Sequence, residues 1–385
     1  MLSKKNALYE IYIYFLFVLF CTRFTNIGIF LIIRETGSII FLITSIIFMI
    51  WNLDKLKNTS KVKLIILWGL VLFSLLGSFR TTFGMGGFIL LVAYGALLIE
   101  FEFIEIRKKV IDNVIIIMSI FWVLYFFTSK KGYNPNTLGQ VTYILMIYVV
   151  IFLSSKKFKI ITIPVAIILS CTTIIESKSR GSLLAFILFV MLYYLVPRKL
   201  LKSKFIYYGL CLGLTIGSII FTIVYVHLWK EGIAFKTLDS TKSLYSGRQS
   251  IWYELFGMIK AHPFWGVGSH YKLTAFSSFN CHNSMLNIVS VYGIPIFIYY
   301  LYLFFNIFSK IRKNIVDSKI VKIAMAGFFG FLFLAFFETN LLWEPVAFQG
   351  LFWLLIGKLY AREERIEKEN KEFKKDRVNK RCLKN

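Results

Sequence analysis

Residues 205–227 read FIYYGLCLGLTIGSIIFTIVYVH, 23 consecutive positions without a Lys, Arg, Asp or Glu. One crossing of a bilayer's hydrocarbon core takes about 20 mostly apolar residues, wound as a helix so that every backbone polar group is satisfied internally. This stretch meets that requirement, and the rest of the chain repeats it. Working outward, comparable apolar runs fall near 7–22, 37–51, 64–79, 83–99, 110–127, 138–153, 160–175, 182–196, 284–306, 320–337 and 345–360. The pattern predicts an all-α polytopic integral membrane protein of about 12 transmembrane helices. An even number of spans puts both termini on the same side.

Composition points the same way. Of 385 residues, 57% are apolar, 18% aromatic and 17% charged, whereas soluble domains carry about 25% charged residues. Disorder needs low hydrophobicity, and six prolines are too few for a linker-rich chain. The segment Met1–Thr22 imitates a signal peptide but lacks a small-residue cleavage site, so it reads as an uncleaved first span. Five cysteines are scattered without a CxxC or a metal-ligand spacing and read as isolated thiols.

Lys and Arg outnumber Asp and Glu 45 to 20, a balance of +25. In a membrane protein such an excess first reports orientation, because basic residues are held in cytoplasmic loops. With a cytoplasmic N-terminus and alternating sides, the inner segments hold 32 of the 45 basic and 13 of the 20 acidic residues, a net +19. The outer segments keep +6. Basic residues spread over every inner loop do not make a nucleic-acid surface, so nucleic acid is excluded as a partner. The expected location is the bacterial cytoplasmic (inner) membrane, with both termini cytoplasmic. The tail 361–385, rich in Lys, Arg and Glu, reads as a solvated charged segment on that side.

Residues 1–360 then form the membrane domain, interrupted by one long external loop over 228–283. Long loops with aromatic and turn residues tend to carry function. Within this one, Ser246-Gly247-Arg248-Gln249 has the S-x-x-Q spacing of a capping box, followed by Ile251, Trp252, Leu255, Phe256 and Ile259 at helical spacing. The spacing predicts a short amphipathic helix near 247–260 on the membrane surface, ending before Pro263. Arg248 falls in its first turn, where the helix dipole disfavours a cation unless an anion is present. Arg180, in Ser177-Lys178-Ser179-Arg180-Gly181-Ser182, opens the eighth span in the same way. An Arg that snorkels to lipid phosphates is the plainer account of either residue.

All four histidines fall on the outer side of this topology. His282, in Asn280-Cys281-His282-Asn283-Ser284, stands where the tenth span begins, and an imidazole there is suited to general-base work on a hydroxyl. A capping or surface role is the plainer alternative. Adjacent residues point in different directions, so Cys281 and His282 do not make a thiol–imidazole pair. The chain has no Asp-x-Asp, no GxGxxG and no GxxxxGK[ST], and its outer carboxylates, Glu338 among them, are dispersed. No cofactor is expected and metal chemistry lacks its ligands; arginine forks can bind phosphate oxygens instead.

Three stretches in order resemble the O-antigen ligase and Wzy polysaccharide polymerase superfamily: Ser179-Arg180-Gly181 at a span start, Gly247-Arg248-Gln249-Ser250-Ile251-Trp252 running to Ala261-His262-Pro263-Phe264-Trp265-Gly266-Val267-Gly268, and His282-Asn283-Ser284 leading to Tyr292-Gly293. The resemblance covers roughly residues 177–295. It implies a GT-C-like, metal-independent inverting glycosyltransferase acting on the outer face, whose donor is a glycan on undecaprenyl pyrophosphate. It assigns Arg180 and Arg248 to the pyrophosphate and its developing charge, and His282 to the acceptor hydroxyl. Asn283 orients the imidazole or the acceptor sugar, and His262 takes either a substrate-binding place or that of a structural turn. Polymerase is preferred over ligase; the implied partners are membrane lipids, a flippase and a chain-length regulator. A flippase is the rival of another class, but transporters favour repeats and midplane charges, and here the charges lie at span ends.

Overall fold

The computed structural model describes residues 4–22, 108–128, 135–233, 247–268 and 281–338, with scattered positions within 32–51, 271–274 and 351–359. Among the described residues every regular element is helical. The helices are α1 (Lys4–Cys21), α2 (Lys108–Thr128), α3 (Pro135–Ser154), α4 (Lys159–Glu176), α5 (Arg180–Val190), α6 (Arg198–Lys202), α7 (Lys204–Lys230), α8 (Arg248–Ala261), α9 (Ser284–Tyr292), α10 (Ile294–Ile311) and α11 (Lys319–Leu334). A π-turn, Met191–Leu195, extends α5, and a 3₁₀ turn, Arg312–Asn314, closes α10.

Four helical stretches are long and apolar enough to cross a membrane: Asn136–Ser154, Lys159–Glu176, Lys204–Lys230 and Ile294–Asn314. Ala7–Cys21 and Arg180–Tyr194 are shorter apolar helices. The spans expected near 64–79 and 83–99 lie outside the described residues, as do most of those near 37–51 and 345–360 and the tail 361–385. The count of about 12 therefore stands as an expectation, and these helices make the chain a helical membrane protein.

The expected tenth span, 284–306, is not one helix. It breaks at Gly293, which adopts φ +86° and ψ 171° between α9 and α10, with Pro295 in the first turn of α10. A backbone with positive φ costs glycine nothing and other residues considerably more, and proline cannot donate into a preceding turn. Nine-residue α9 is about 13 Å long, less than half a hydrocarbon core. All nine of its residues are buried, including Ser284, Asn287 and Ser290.

Helices in lipid gain little from burying apolar surface against each other, so close backbone approach holds them together. The α3–α5–α11 contact shows how. The Tyr143 hydroxyl on α3 donates to the Gly327 carbonyl on α11 at 2.9 Å. A Cβ at Gly330 would collide with that hydroxyl and stand 2.7 Å from the Ala185 carbonyl of α5. One turn earlier on α3, a Cβ at Gly139 would meet Ser179 and Ser182 at 2.5 and 2.7 Å. By contrast α4 turns Ile160, Ile161, Val165, Ile168 and Leu169 outward, as a lipid-facing helix does. This packing brings the start of α5, the end of α11, α8 and α9 to one end of the bundle.

Candidate active site

Each candidate side chain sits at a helix end. Arg180 is the first residue of α5, behind an extended Ser179 that caps nothing, because its hydroxyl donates to Ser182 Oγ at 2.8 Å instead. Lys178 supplies the turn with φ +57°. Arg180 is exposed and forms no ion pair among the described residues. Gly181 beside it packs on Phe337, where a Cβ would stand 3.0 Å from the Phe337 Cβ. The start of α5 therefore lies against the residue that precedes Glu338.

Arg248 lies in the first turn of α8, as its spacing predicts, and is the first residue of that helix, but the entry differs from the expected capping box. Gly247 is the cap, in the left-handed conformation at φ 84°, and no side chain caps the helix. Ser246 lies outside the described residues. The inner face of α8 buries Ile251, Trp252 and Leu255. Trp252 packs against Phe221 and Tyr225 of α7, with ring centroids 6.1 and 5.2 Å away, and its indole N–H donates to the Cys281 carbonyl at 2.8 Å. That bond fixes the residue before His282.

His282 itself has φ +49°, a left-handed conformation that histidine tolerates better than most residues but still at a cost. The segment that follows holds it there. Asn283 is the N-cap of α9: its Oδ1 accepts from the Leu286 N–H at 3.0 Å, and its Nδ2 donates to Ser218 Oγ and to the Phe336 carbonyl, both at 3.1 Å. The Ser284 N–H donates to the Ala335 carbonyl at 2.9 Å, and the Ser284 hydroxyl to the Glu338 carbonyl at 2.7 Å. Three carbonyls at the end of α11 are thereby tied to the two residues after His282.

The consequence is a cluster that spacing alone did not bring together. Glu338 Oε1 lies 3.2 Å from Arg248 Nη2, and its Oε2 lies 3.5 Å from His282 Nδ1. These side chains are 17%, 27% and 10% exposed for Arg248, His282 and Glu338, so the group is screened yet reachable. The anion that an arginine at a helix start calls for is here the Glu338 carboxylate. One of five guanidinium N–H donors is used that way, which leaves the fork able to take phosphate oxygens.

The other candidates separate. Asn283 is fully buried, with its side-chain amide committed to Leu286, Ser218 and Phe336, and so fixes the backbone directly after His282. His262 is exposed at the end of α8, and its carbonyl accepts from the Gly266 N–H at 3.1 Å. The loop after it clamps the α9–α10 break: Val267 and Gly268 donate to the Ser290 and Val291 carbonyls, and the Ile294 N–H donates to the Pro263 carbonyl. Of its two sequence readings, the turn is the one that these bonds describe. Burial pushes the Cys281 thiol up, away from a reactive thiolate. Glu338 was counted among dispersed outer acids; the signal was its place at the end of the apolar run Leu334-Ala335-Phe336-Phe337, where an acid is expensive and functional by default.

Residues 165–301 match the O-antigen ligase family model, a segment that contains Arg180, Arg248 and His282 and stops short of Glu338. No curated protein matches the chain. Over residues 165–301 the protein is thus similar to the O-antigen ligase family, and it carries there the features that make it resemble the O-antigen ligase and Wzy polysaccharide polymerase superfamily.

Proposed function

We propose that the protein is a metal-independent, inverting glycosyltransferase of GT-C-like architecture that polymerises lipid-linked oligosaccharide repeat units on the outer face of the cytoplasmic membrane. The glycan leaves undecaprenyl pyrophosphate and joins a sugar hydroxyl of the next unit, building a capsule, exopolysaccharide or O-antigen. The observation that carries this reading is the meeting of Arg248, His282 and Glu338 at converging helix ends beside the start of α5.

Chemically, breaking the glycosidic bond puts negative charge on the pyrophosphate, and preorganised cations in a poorly hydrated site stabilise it. Arg180 and the first-turn N–H groups of α5 supply one side of that cradle and Arg248 the other. With Nδ1 directed at Glu338, His282 takes the acceptor proton on Nε2, and the Glu338 carboxylate stabilises the imidazolium that forms. The 3.5 Å separation is long for a hydrogen bond and contracts once the imidazole is charged. The freed hydroxyl oxygen attacks the anomeric carbon opposite the leaving phosphate, which inverts it.

The description of the matching family model, O-antigen ligase, favours a second reading: transfer of the finished glycan to lipid A-core or another terminal acceptor. One experiment separates the two. Purified protein incubated with a single lipid-linked repeat unit yields a ladder of longer products if it polymerises. No product until a separate acceptor is added means a ligase, and movement of the lipid between leaflets without transfer means a flippase.

A further inference from the structure

The end of the bundle opposite His282 holds a second group of cations that the transfer reaction does not use. α11 runs from Lys319 to Leu334, about 24 Å, with the glycosyl-transfer cluster beyond its last turn and Arg312 before its first. Arg312 is only 4% exposed. Its guanidinium carbon stands 5.4 Å from the centroid of the Tyr207 ring, and its Nε is buried without a hydrogen-bond partner. Arg198, at the start of α6, donates from Nη1 to the Val316 carbonyl at 2.9 Å, in the turn that follows Arg312. Lys322 lies within electrostatic reach of Arg198, its ammonium 5.7 Å from the Tyr193 ring centroid.

Among the described residues no carboxylate forms an ion pair with any of these three cations. Orientation accounts for basic residues in this connection, since inner loops collect them, but orientation leaves such residues in water. It does not account for enclosing one of them. A buried guanidinium persists when it is paired and hydrogen-bonded, and a tyrosine face meets only part of that need. The turn that follows Arg312 is the one Arg198 binds through Val316, and Lys322 lies within electrostatic reach of Arg198, so the three cations belong to one end of the bundle.

We propose that Arg312, Arg198 and Lys322 form a phosphate site that takes the headgroup of an anionic phospholipid from the leaflet opposite the transfer reaction. The charge and the planar forks select a phosphodiester. The surroundings select a lipid: Leu195 and Phe205, which flank the Arg198 segment, are 72% and 88% exposed and offer apolar surface to acyl chains. Basic pockets between membrane helices on the cytoplasmic side bind headgroups in this manner. The site stands whether the opposite end polymerises, ligates or transports.

The test is thermal unfolding of the purified full-length protein in neutral detergent, titrated with phosphatidylglycerol, phosphatidylcholine or inorganic phosphate. Phosphatidylglycerol gives a saturable rise in Tm and phosphatidylcholine none. Lys322→Gln, at a half-buried position, weakens the apparent phosphatidylglycerol affinity about fivefold, and Arg312→Gln removes the response. If Arg312→Gln does not fold, Lys322→Gln still decides. Competition by inorganic phosphate against the lipid supports the phosphate chemistry. Saturable stabilisation by inorganic phosphate with none by phosphatidylglycerol overturns the lipid source, and a phosphatidylglycerol response unchanged in both variants overturns the site.

Discussion

Glu338→Gln tests the proposed transfer centre at the residue that sequence motifs did not point to. The substitution keeps the volume, and the structural bond that Glu338 makes to Ser284 runs through its backbone carbonyl, so the α9–α11 tie survives. What goes is one negative charge, 3.2 Å from Arg248 and 3.5 Å from His282. At an effective dielectric constant of about 20 each contact represents about 5 kcal/mol of gross attraction. Part of this is offset by desolvation, and the glutamine oxygen still offers an acceptor dipole. About 2 to 3 kcal/mol of support for the imidazolium is lost in the transition state, which lowers kcat about 30- to 150-fold.

The loss falls on chemistry and not on binding. Arg248 is relieved of its internal competitor, so the KM for the lipid-linked donor holds steady or falls as kcat drops. His282→Ala, which removes the base itself, sets the floor: chain extension stops while expression and membrane insertion persist. The assay is the rate of ladder formation against donor concentration, with Tm measured alongside to show that the fold is intact. A Glu338→Gln enzyme with wild-type kcat, or one whose only change is a raised KM, refutes the role given to the carboxylate.

Other outcomes follow from the same geometry. Arg248→Ala abolishes extension and Arg248→Lys leaves a small residue of it, because an ammonium cannot fork two phosphate oxygens; equal rates for the lysine and wild-type enzymes contradict the clamp. Elongation by purified protein continues in excess EDTA, since arginines take the place of a divalent cation, and strict Mg²⁺ dependence defeats that mechanism. Gly330→Ala forces a methyl group against the Tyr143 hydroxyl and the Ala185 carbonyl, costing about 1 to 3 kcal/mol of stability; an unchanged Tm in detergent shows that the α3–α5–α11 contact is looser than described. Ser243→Cys is labelled from outside intact cells, and its inaccessibility inverts the orientation deduced from the basic loops.

The spans were legible in the sequence because bilayer thickness is a one-dimensional constraint. Phe205–His227 has the length and the lack of charge that a crossing demands, and α7 forms there, overrunning by one residue at its start and three at its end. The placing of Arg180 and Arg248 in first turns was also legible, but the caps were not: the Ser179 hydroxyl goes to Ser182, and Gly247 takes the place that the capping box gave to Ser246. The break at Gly293 was visible as a residue and invisible as an event: Tyr292-Gly293-Ile294-Pro295 lies inside an apolar run long enough to cross, and hydrophobic length does not register a change of backbone direction.

Glu338 escaped for a different reason. Its nearness to His282 is encoded neither in periodicity nor in spacing but in a pairing of ends, made when Asn283 and Ser284 bind the carbonyls of Ala335, Phe336 and Glu338. Those carbonyls belong to the turn that follows α11, past the last helical N–H that could meet them, and in a bilayer there is little water to do so. The polar residues after His282 therefore settle the backbone debt of α11 and, in the same bonds, set the geometry of the site. The positive φ of His282 fits that account: the strain is held by a cap on one side and the Trp252–Cys281 bond on the other. Substitutions at Asn283 or Ser284 are therefore expected to misplace His282 relative to Glu338 before they unfold the helices, which a fall in ladder formation at an unchanged Tm would show.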